Sequence, residues 1–140
     1  MNEAKPFNVL LVEPVNLLRR TVSLTLRSLG TAEITEAANY QTARQFCGGR
    51  PFDAAVIALE LPQPSVASLG LVLIHQIRLG QCASPSSIPI AVLVDSCDAE
   101  LLSVLRSCQV SRVLIKPFRV RDVIDTIDGM RGSGRIAAAH

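Results

Sequence analysis

The sequence predicts an α/β domain in which a parallel β-sheet is covered by helices on both faces. Short apolar runs alternate with helical patterns five times along the chain, as in βα units wound into a parallel sheet. Apolar residues make up 49% of the composition and aromatic residues only 4%, so the interior must be built from Val, Ile, Leu and Ala. Such an interior is typical of a sheet buried on both faces, and right-handed crossovers then place helices on both sides.

The chain of 140 residues is long enough for one domain that buries a core without disulfides or a metal. After Met130 the sequence becomes rich in Gly, Ser and Arg and then in small apolar residues. This change predicts a domain over residues 1–130 and a flexible tail, or the beginning of a linker, over residues 131–140.

The first two βα units are predicted from apolar runs and helical spacing. Residues 9–12 form a short apolar strand, and a helix is expected over about 15–29, with Gly30 as its C-terminal stop. A second strand near 32–36 leads to a short helix around 41–47. The residues expected on the inner face of the first helix are Leu18, Val22, Leu26 and Leu29.

The remaining units follow the same pattern. The third strand is expected to end at Ala58 or Leu59, and the third helix to begin near Gly70. The fourth and fifth strands are expected over 90–94 and 113–115. The last two helices carry apolar residues at the spacing of a buried stripe, Leu101, Val104, Leu105 and Cys108 in one and Val120, Val123, Ile124 and Ile127 in the other.

Charge and cysteine usage argue against several classes of protein. The net charge is +2 and the arginines form no basic run, so binding to nucleic acid or to an acidic membrane is disfavoured. The four cysteines lie far apart in sequence, without a metal-binding or redox spacing, and are expected to be reduced. Residues 1–7 lack the apolar stretch of a signal peptide and no later run is long enough to span a bilayer, so a cytoplasmic protein is expected.

Three segments in this order resemble the receiver domains of two-component response regulators, the CheY-like family. Residues 9–14 resemble the first strand and the acidic pair after it, residues 52–62 the third strand and its loop, and residues 113–118 the lysine-proline-aromatic signature. The resemblance covers about residues 8–130. It implies a flavodoxin-like three-layer sandwich with five parallel strands in the order 2-1-3-4-5 and a functional crevice at their carboxyl ends.

In that family an aspartate after the third strand accepts a phosphoryl group beside a magnesium ion held by carboxylates. Here Ala58 stands at the acceptor position, Pro14 replaces one acid, and Val94 replaces the hydroxyl residue after the fourth strand. None of these side chains offers an oxygen. The resemblance therefore implies no catalytic residue, no cofactor, and magnesium binding that is absent or very weak. The positions that match the family's pocket are Glu13, Pro14, Ala58, Val94, Lys116 and Pro117.

Two further expectations concern this pocket. Lys116, without a phosphoryl group to bind, is expected to pair with Glu13, and Pro117 resembles the family's cis-proline. Glu60, Asp95 and Asp53 are candidates for a displaced phosphate acceptor, although solvated acids, with Asp95 capping the fourth helix, are the favoured interpretation of the loop positions. Residues 62–70 form a loop longer than the family's, either a lid over the crevice or a tolerated insertion.

The family's output surface, formed by the fourth helix, fifth strand and fifth helix, is expected to mediate contact here. Val94 and Val113 replace the hydroxyl and the aromatic residue that switch active receivers, so a fixed surface is predicted. Its charges of both signs suit a homodimer with two-fold symmetry, with ordinary solvated charge as the alternative. The residues expected on this surface are Leu102, Arg106, Arg112, Val113, Arg121, Asp122 and Asp125.

The function predicted from these residues is that of a phosphorylation-independent signalling module. It would act through protein–protein contact in a two-component or phosphorelay context. One alternative is a protein that binds a small ligand in an apolar crevice at the strand ends. Another is a conventional receiver phosphorylated on a displaced carboxylate.

Overall fold

Strands and helices alternate along residues 6–30, 32–59 and 68–139, which are the residues that a computed structural model describes. The strands are β1 (Asn8–Val12), β2 (Glu33–Ala37), β3 (Ala54–Ala58), β4 (Ile90–Val94) and β5 (Arg112–Ile115). The helices are α1 (Asn16–Leu29), α2 (Tyr40–Gly49), α3 (Leu69–Arg78), α4 (Ala99–Ser107) and α5 (Val120–Ala139).

The five strands form one parallel sheet in the order β2-β1-β3-β4-β5, as the sequence predicts. Val12 lies opposite Ala37 of β2 and Ile57 of β3, and Val94 lies opposite Ile115 of β5. Because all strands run the same way, their carboxyl ends meet at one edge of the sheet. A small ligand of a doubly wound sheet is expected to bind at that edge.

The apolar strands are buried because helices cover both faces of the sheet. Every residue of β3 and β4 is buried. Successive side chains enter opposite layers, so Ile57 packs in a cluster with residues of α2, α3 and α4, whereas Ala58 packs in a second cluster with residues of α1 and α5. The core therefore consists of two layers of mainly aliphatic side chains, one on each face of the sheet, and contains few aromatic residues.

The ends of the first and last helices test the predicted boundaries. Gly30 has a φ of 68° in the left-handed region, and its N–H closes the last turn of α1, as predicted. The prediction for Leu29 is wrong, because its side chain is 57% exposed and does not face the core. The helix α5 continues past Met130 to Ala139. The flexibility of residues 131–140 stays a prediction.

Arg78, at the end of α3, fastens the turn that follows α4. Its guanidinium donates hydrogen bonds to the carbonyl oxygens of Cys108 (2.8 Å), Gln109 (3.1 Å), Ile88 (2.8 Å) and Ser86 (2.6 Å). Burial lowers the pKa of this guanidinium from its ordinary value. The approach to β5 is therefore held to α3 by one partly buried cation.

Across residues 6–30, 32–59 and 68–139, none of the helices has the length and apolar character needed to cross a membrane.

Candidate functional site

The carboxyl edge of the sheet brings together the pocket residues predicted from the sequence. Backbone hydrogen bonds continue the sheet ladders beyond the strands, from Glu13 N–H to Ala37 O (3.1 Å) and from Lys116 N–H to Val94 O (2.8 Å). These bonds fix where the loops leave the sheet. We call the following set the carboxyl edge: Glu13, Pro14, Ala58, Val94, Lys116 and Pro117.

Glu13 and Lys116 form the ion pair that the sequence predicts. Lys116 Nζ lies 3.3 Å from Glu13 Oε1, and the Glu13 side chain is only 1% exposed while that of Lys116 is 27% exposed. Glu13 Oε2 accepts a hydrogen bond from Val15 N–H at 2.9 Å. Oε1 has no well-aligned hydrogen bond from the described residues, so Lys116 is its charge partner. The carboxylate is thus already engaged from two sides.

A second ionic contact at this edge was not foreseen from the sequence. Arg19 Nε lies 3.1 Å from Glu36 Oε1, and its two terminal nitrogens donate to Glu13 O (2.9 Å) and Asn16 Oδ1 (2.8 Å). Arg19 therefore ties the loop between β1 and α1 to the end of β2. The sequence signal was limited to the three-residue spacing of Asn16 and Arg19 on one helix face.

Ala58, the last residue of β3, is enclosed by its neighbours. Its side chain is 2% exposed, and its carbonyl oxygen accepts a hydrogen bond from the hydroxyl of Tyr40, itself buried. Tyr40 is the single tyrosine of the chain and begins α2. Its role was missed because the contact joins residues 18 positions apart and depends on how α2 packs over the sheet.

Gly70 shows how closely α3 approaches the end of β3. A Cβ atom at this position would lie 2.5 Å from Leu59 Cδ2, 3.1 Å from Ala58 O and 3.3 Å from Tyr40 Cε1. Only a residue without a side chain fits there without movement of its neighbours. The space above Ala58 is therefore filled by protein.

Val94 and Val113 are the two residues that the resemblance to receivers assigns to the switch. Val94 is fully buried, and Val113 is half-buried and packs against the same apolar cluster. Neither side chain can donate or accept a hydrogen bond. The peptide bond between Lys116 and Pro117 is cis, as the resemblance implies.

The residues at this edge do not fit a magnesium ion. Magnesium requires several oxygen ligands in octahedral geometry, whereas Ala58 and Pro14 carry no side-chain oxygen and the Glu13 carboxylate is held by Lys116. In the described part of the chain, no group of three or more His, Cys, Asp or Glu side chains is placed to hold a metal ion.

The candidates for a displaced phosphate acceptor lie in different places. Asp53 is at the opposite edge of the sheet, where its Oδ2 accepts a hydrogen bond from Asn8 N–H at 2.8 Å. Asp95 is exposed, and Glu60 lies outside the described residues, as do positions 62–67 of the long loop. Asp95 does not cap α4, because Asp98 is the N-cap and accepts from Leu101 N–H at 2.8 Å.

The predicted output surface presents unpaired charges of both signs. Four of its charged side chains are exposed, and none of the four forms an ion pair within the described chain: Arg106, Arg112, Arg121 and Asp125. The other three residues of this surface, Leu102, Val113 and Asp122, are half-buried. We call these seven residues the charged face. Arg112 and Asp125 border one shallow hollow of about 210 Å³.

Two details of the charged face differ from expectation. Asp122 is occupied within its own helix, because its Oδ2 accepts a hydrogen bond from Arg119 N–H at 2.9 Å and so caps α5. Ile115, which sequence reasoning overlooked, is 51% exposed at the end of the edge strand β5. The apolar centre of this surface is therefore Ile115 together with Leu102 and Val113.

No family model matches the sequence, and no curated protein is significantly similar to it. Solved structures are similar to it over most of its length. The chemotaxis protein CheY4 of Vibrio cholerae has a TM-score of 0.75 and 21% identity, over 90% of this chain and 99% of that one. A response regulator receiver protein of Pseudomonas putida has a TM-score of 0.74 and 22% identity, over 90% and 98%.

A third structure agrees with these two. The receiver domain of the Francisella response regulator 1452 has a TM-score of 0.72 and 18% identity, over 90% of this chain and 96% of that one. The fold is that of CheY-like receiver domains. At the carboxyl edge of this fold, Ala58, Pro14 and Val94 present no side-chain oxygen.

Proposed function

We propose that this protein is a receiver-like signalling module that acts by protein–protein contact and does not accept a phosphoryl group. It would serve two-component or phosphorelay signalling as an adaptor or a dimerisation unit. The observation that carries the proposal is Ala58, a side chain without an oxygen at the end of β3. Phosphoryl transfer to a receiver needs a carboxylate nucleophile at this position.

The surroundings of Ala58 support the same conclusion. The ion pair between Glu13 and Lys116 satisfies the two charges that would otherwise serve a magnesium ion and a phosphoryl group. The Tyr40 hydroxyl and Gly70 close the space over the strand end. A site whose charges are paired, whose space is filled and which has no nucleophile is not suited to accept a phosphoryl group.

The polar switch that relays phosphorylation in receivers is also missing. Such a switch needs two alternative arrangements of a hydroxyl and an aromatic side chain. Val94 is packed in the core and Val113 lies against it, so neither has a second polar partner to move toward. The charged face is therefore expected to keep one conformation and to bind its partner constitutively.

The charged face supports a contact role because it combines exposed charges of both signs with partly exposed apolar residues. Complementary charges guide two proteins into register, and an apolar centre supplies affinity. The same patch on a second copy would be self-complementary under two-fold symmetry. A homodimer or a signalling partner on α4, β5 and α5 is the form of assembly that we propose.

The small-ligand alternative has less support. A ligand site needs an open cavity with a few polar groups at the reacting end. Ala58 and Val94 are 2% and 0% exposed, so neither residue lines an open cavity.

Intact-mass measurement after incubation with acetyl phosphate and magnesium tests the proposal. The expected mass is that of the unmodified chain, and light scattering on the same samples should give one oligomeric state with and without acetyl phosphate. A covalent phosphoryl adduct on the folded protein would overturn the proposal.

A Pro14→Asp, Ala58→Asp double variant is the matched control. It returns carboxylates to two positions of the carboxyl edge while Glu13 and Lys116 stay in place. An adduct on this variant and none on the natural sequence would show that the missing oxygens decide the outcome. Circular dichroism confirms that the variant is folded before the masses are compared.

A further inference from the structure

Two of the four cysteines lie against each other, away from the carboxyl edge. Cys47 is in the second half of α2 and is 2% exposed, and Cys82 is half-buried in the turn between α3 and β4. Cys82 packs against the apolar cluster that contains Cys47, and it lies close enough to raise the pKa of the Cys47 thiol. The N–H of Ala83 donates to Cys47 O at 2.8 Å, which holds the two segments together.

The pair can be reached from solvent through Cys82. This residue borders a surface hollow of about 320 Å³, together with Gly48 and the side chains of Gln41 and Gln76. The hollow is large enough for a small hydroperoxide, and amide groups on its wall can hydrogen-bond the peroxide oxygens. Cys47 lies behind Cys82, so one thiol is accessible and the other is adjacent.

We propose that Cys47 and Cys82 are an oxidation site at which a hydroperoxide converts the two thiols into an intramolecular disulfide. This site is independent of the proposed signalling function. Such a site requires an accessible thiol, here that of Cys82, and a second thiol beside it, here that of Cys47.

Cys47 and Cys82 have different roles in the proposed oxidation because their surroundings differ. Burial, and then the neighbouring Cys82, raise the pKa of Cys47 to about 12, so Cys47 keeps its proton. Cys82 is the cysteine that a peroxide can reach from the hollow. A thiolate is the species that attacks peroxides, so the first step is assigned to Cys82.

The reaction proceeds in two balanced steps. The Cys82 thiolate attacks one oxygen of hydrogen peroxide, so an S–O bond forms, the O–O bond breaks, and hydroxide leaves and is protonated to water. Cys82 is then a neutral sulfenic acid, which removes one cause of the raised pKa of Cys47.

In the second step Cys47 Sγ attacks Cys82 Sγ, so that the S–S bond forms and the S–O bond breaks. Hydroxide leaves and takes the proton of Cys47. The sum is two thiols and one peroxide giving one disulfide and two waters.

The disulfide would join α2 to the segment that leads into β4. It closes a long loop, which restricts the unfolded chain more than the folded one and raises the thermal midpoint of unfolding. The carboxyl edge and the charged face contain neither cysteine, so oxidation is expected to leave both unchanged.

A Cys97→Ser variant is the protein to test, because it removes the other half-buried cysteine and leaves the pair intact. The folded variant is treated with hydrogen peroxide, and its intact mass and linked peptides are measured. We expect a mass lower by two hydrogens, a peptide that links Cys47 to Cys82, and reversal by dithiothreitol. The thermal midpoint should be higher in the oxidised sample.

Two further variants in the same background separate the roles. With Cys47→Ser, Cys82 should accumulate as a sulfenic acid that dimedone traps. With Cys82→Ser, Cys47 should stay unmodified while the protein is folded. A sulfinic acid on Cys82 without a disulfide, an intermolecular dimer, or no reaction of the folded Cys97→Ser variant would each overturn the proposal.

Discussion

The carboxyl edge and the charged face occupy neighbouring parts of one receiver fold and differ in how their polar groups are used. At the carboxyl edge Glu13 is paired with Lys116, and Ala58 and Val94 are buried. On the charged face, exposed residues such as Arg112 and Asp125 form no ion pair within the described chain. The charged groups of the first region are satisfied internally, whereas the exposed charges of the second are unpaired within the described chain.

This difference indicates which region contributes to stability and which region is available for binding. A buried, satisfied cluster contributes to the stability of the domain, whereas exposed charges contribute little to stability and can guide association. Substitutions at the carboxyl edge should therefore change unfolding, and substitutions on the charged face should change binding. Four predictions test that division, in order of decreasing effect on stability.

Lys116→Met should give the largest loss of stability. The substitution leaves the buried Glu13 carboxylate without its charge partner, which costs several kcal/mol for a fully buried pair, and about 2 kcal/mol is expected here because Lys116 is partly exposed. Urea unfolding measures the change. The control is the Glu13→Gln, Lys116→Met double variant, which should recover at least half of the loss because the buried charge is gone. Equal losses in the single and double variants would contradict the proposed role of the pair.

Gly70→Ala should lower the free energy of unfolding by about 1.5 kcal/mol, because the new methyl group would overlap Leu59 and crowd the Ala58 carbonyl. Gly48→Ala is the matched control, since nothing lies within 4 Å of the position that a Cβ atom would take there. That change should be neutral or stabilising by up to about 1 kcal/mol, because alanine favours helix over glycine. Chemical denaturation of both variants shows whether the carboxyl edge is tightly filled. A neutral Gly70→Ala would mean that it is not.

Asp98→Ala should cost about 1 kcal/mol, since it removes the side chain that caps α4. Asp95→Ala should change stability by less than about 0.5 kcal/mol, because Asp95 is exposed and caps nothing. Thermal unfolding followed by circular dichroism compares the two. Similar losses at both positions would restore the cap that sequence reasoning assigned to Asp95.

Arg112→Glu should change the free energy of unfolding by less than about 0.5 kcal/mol, since the residue is exposed and unpaired within the described chain. Its effect should appear in association, where reversing a charge places like charges across a two-fold contact. Sedimentation velocity measures the dimer fraction, with Arg44→Glu on α2 as a control of identical charge change. Equal behaviour of the two variants would remove the charged face from the proposed contact.

The sequence predicts the sheet and the carboxyl edge well because both depend on strand ends. Apolar runs define the strands, and the residue after each run must lie at the common edge, which places Glu13, Ala58 and Lys116 without knowledge of side-chain packing. The pairing of Glu13 with Lys116 follows from that placement, because opposite charges at one buried edge are favoured to meet.

Contacts that depend on helix packing could not be predicted in the same way. Tyr40, the first residue of α2, reaches the Ala58 carbonyl only because α2 packs over the sheet, and Arg19 of α1 reaches Glu36 of β2. Leu29 fits the helical pattern of α1 but lies where the helix turns outward at Gly30, so it is exposed. The continuation of α5 from Met130 to Ala139 was likewise not indicated by the apolar spacing of the helix, which ends near Ile127.

The most direct test of the central claim is a two-dimensional amide NMR spectrum recorded during titration with magnesium and then with beryllofluoride, a phosphoryl mimic that requires a carboxylate and a metal. We predict no saturable shift for the amides of Glu13, Ala58 and Lys116, and an unchanged spectrum for the charged face. Saturable shifts at these three residues, spreading to α4 and β5, would contradict the claim that this receiver fold signals without phosphorylation.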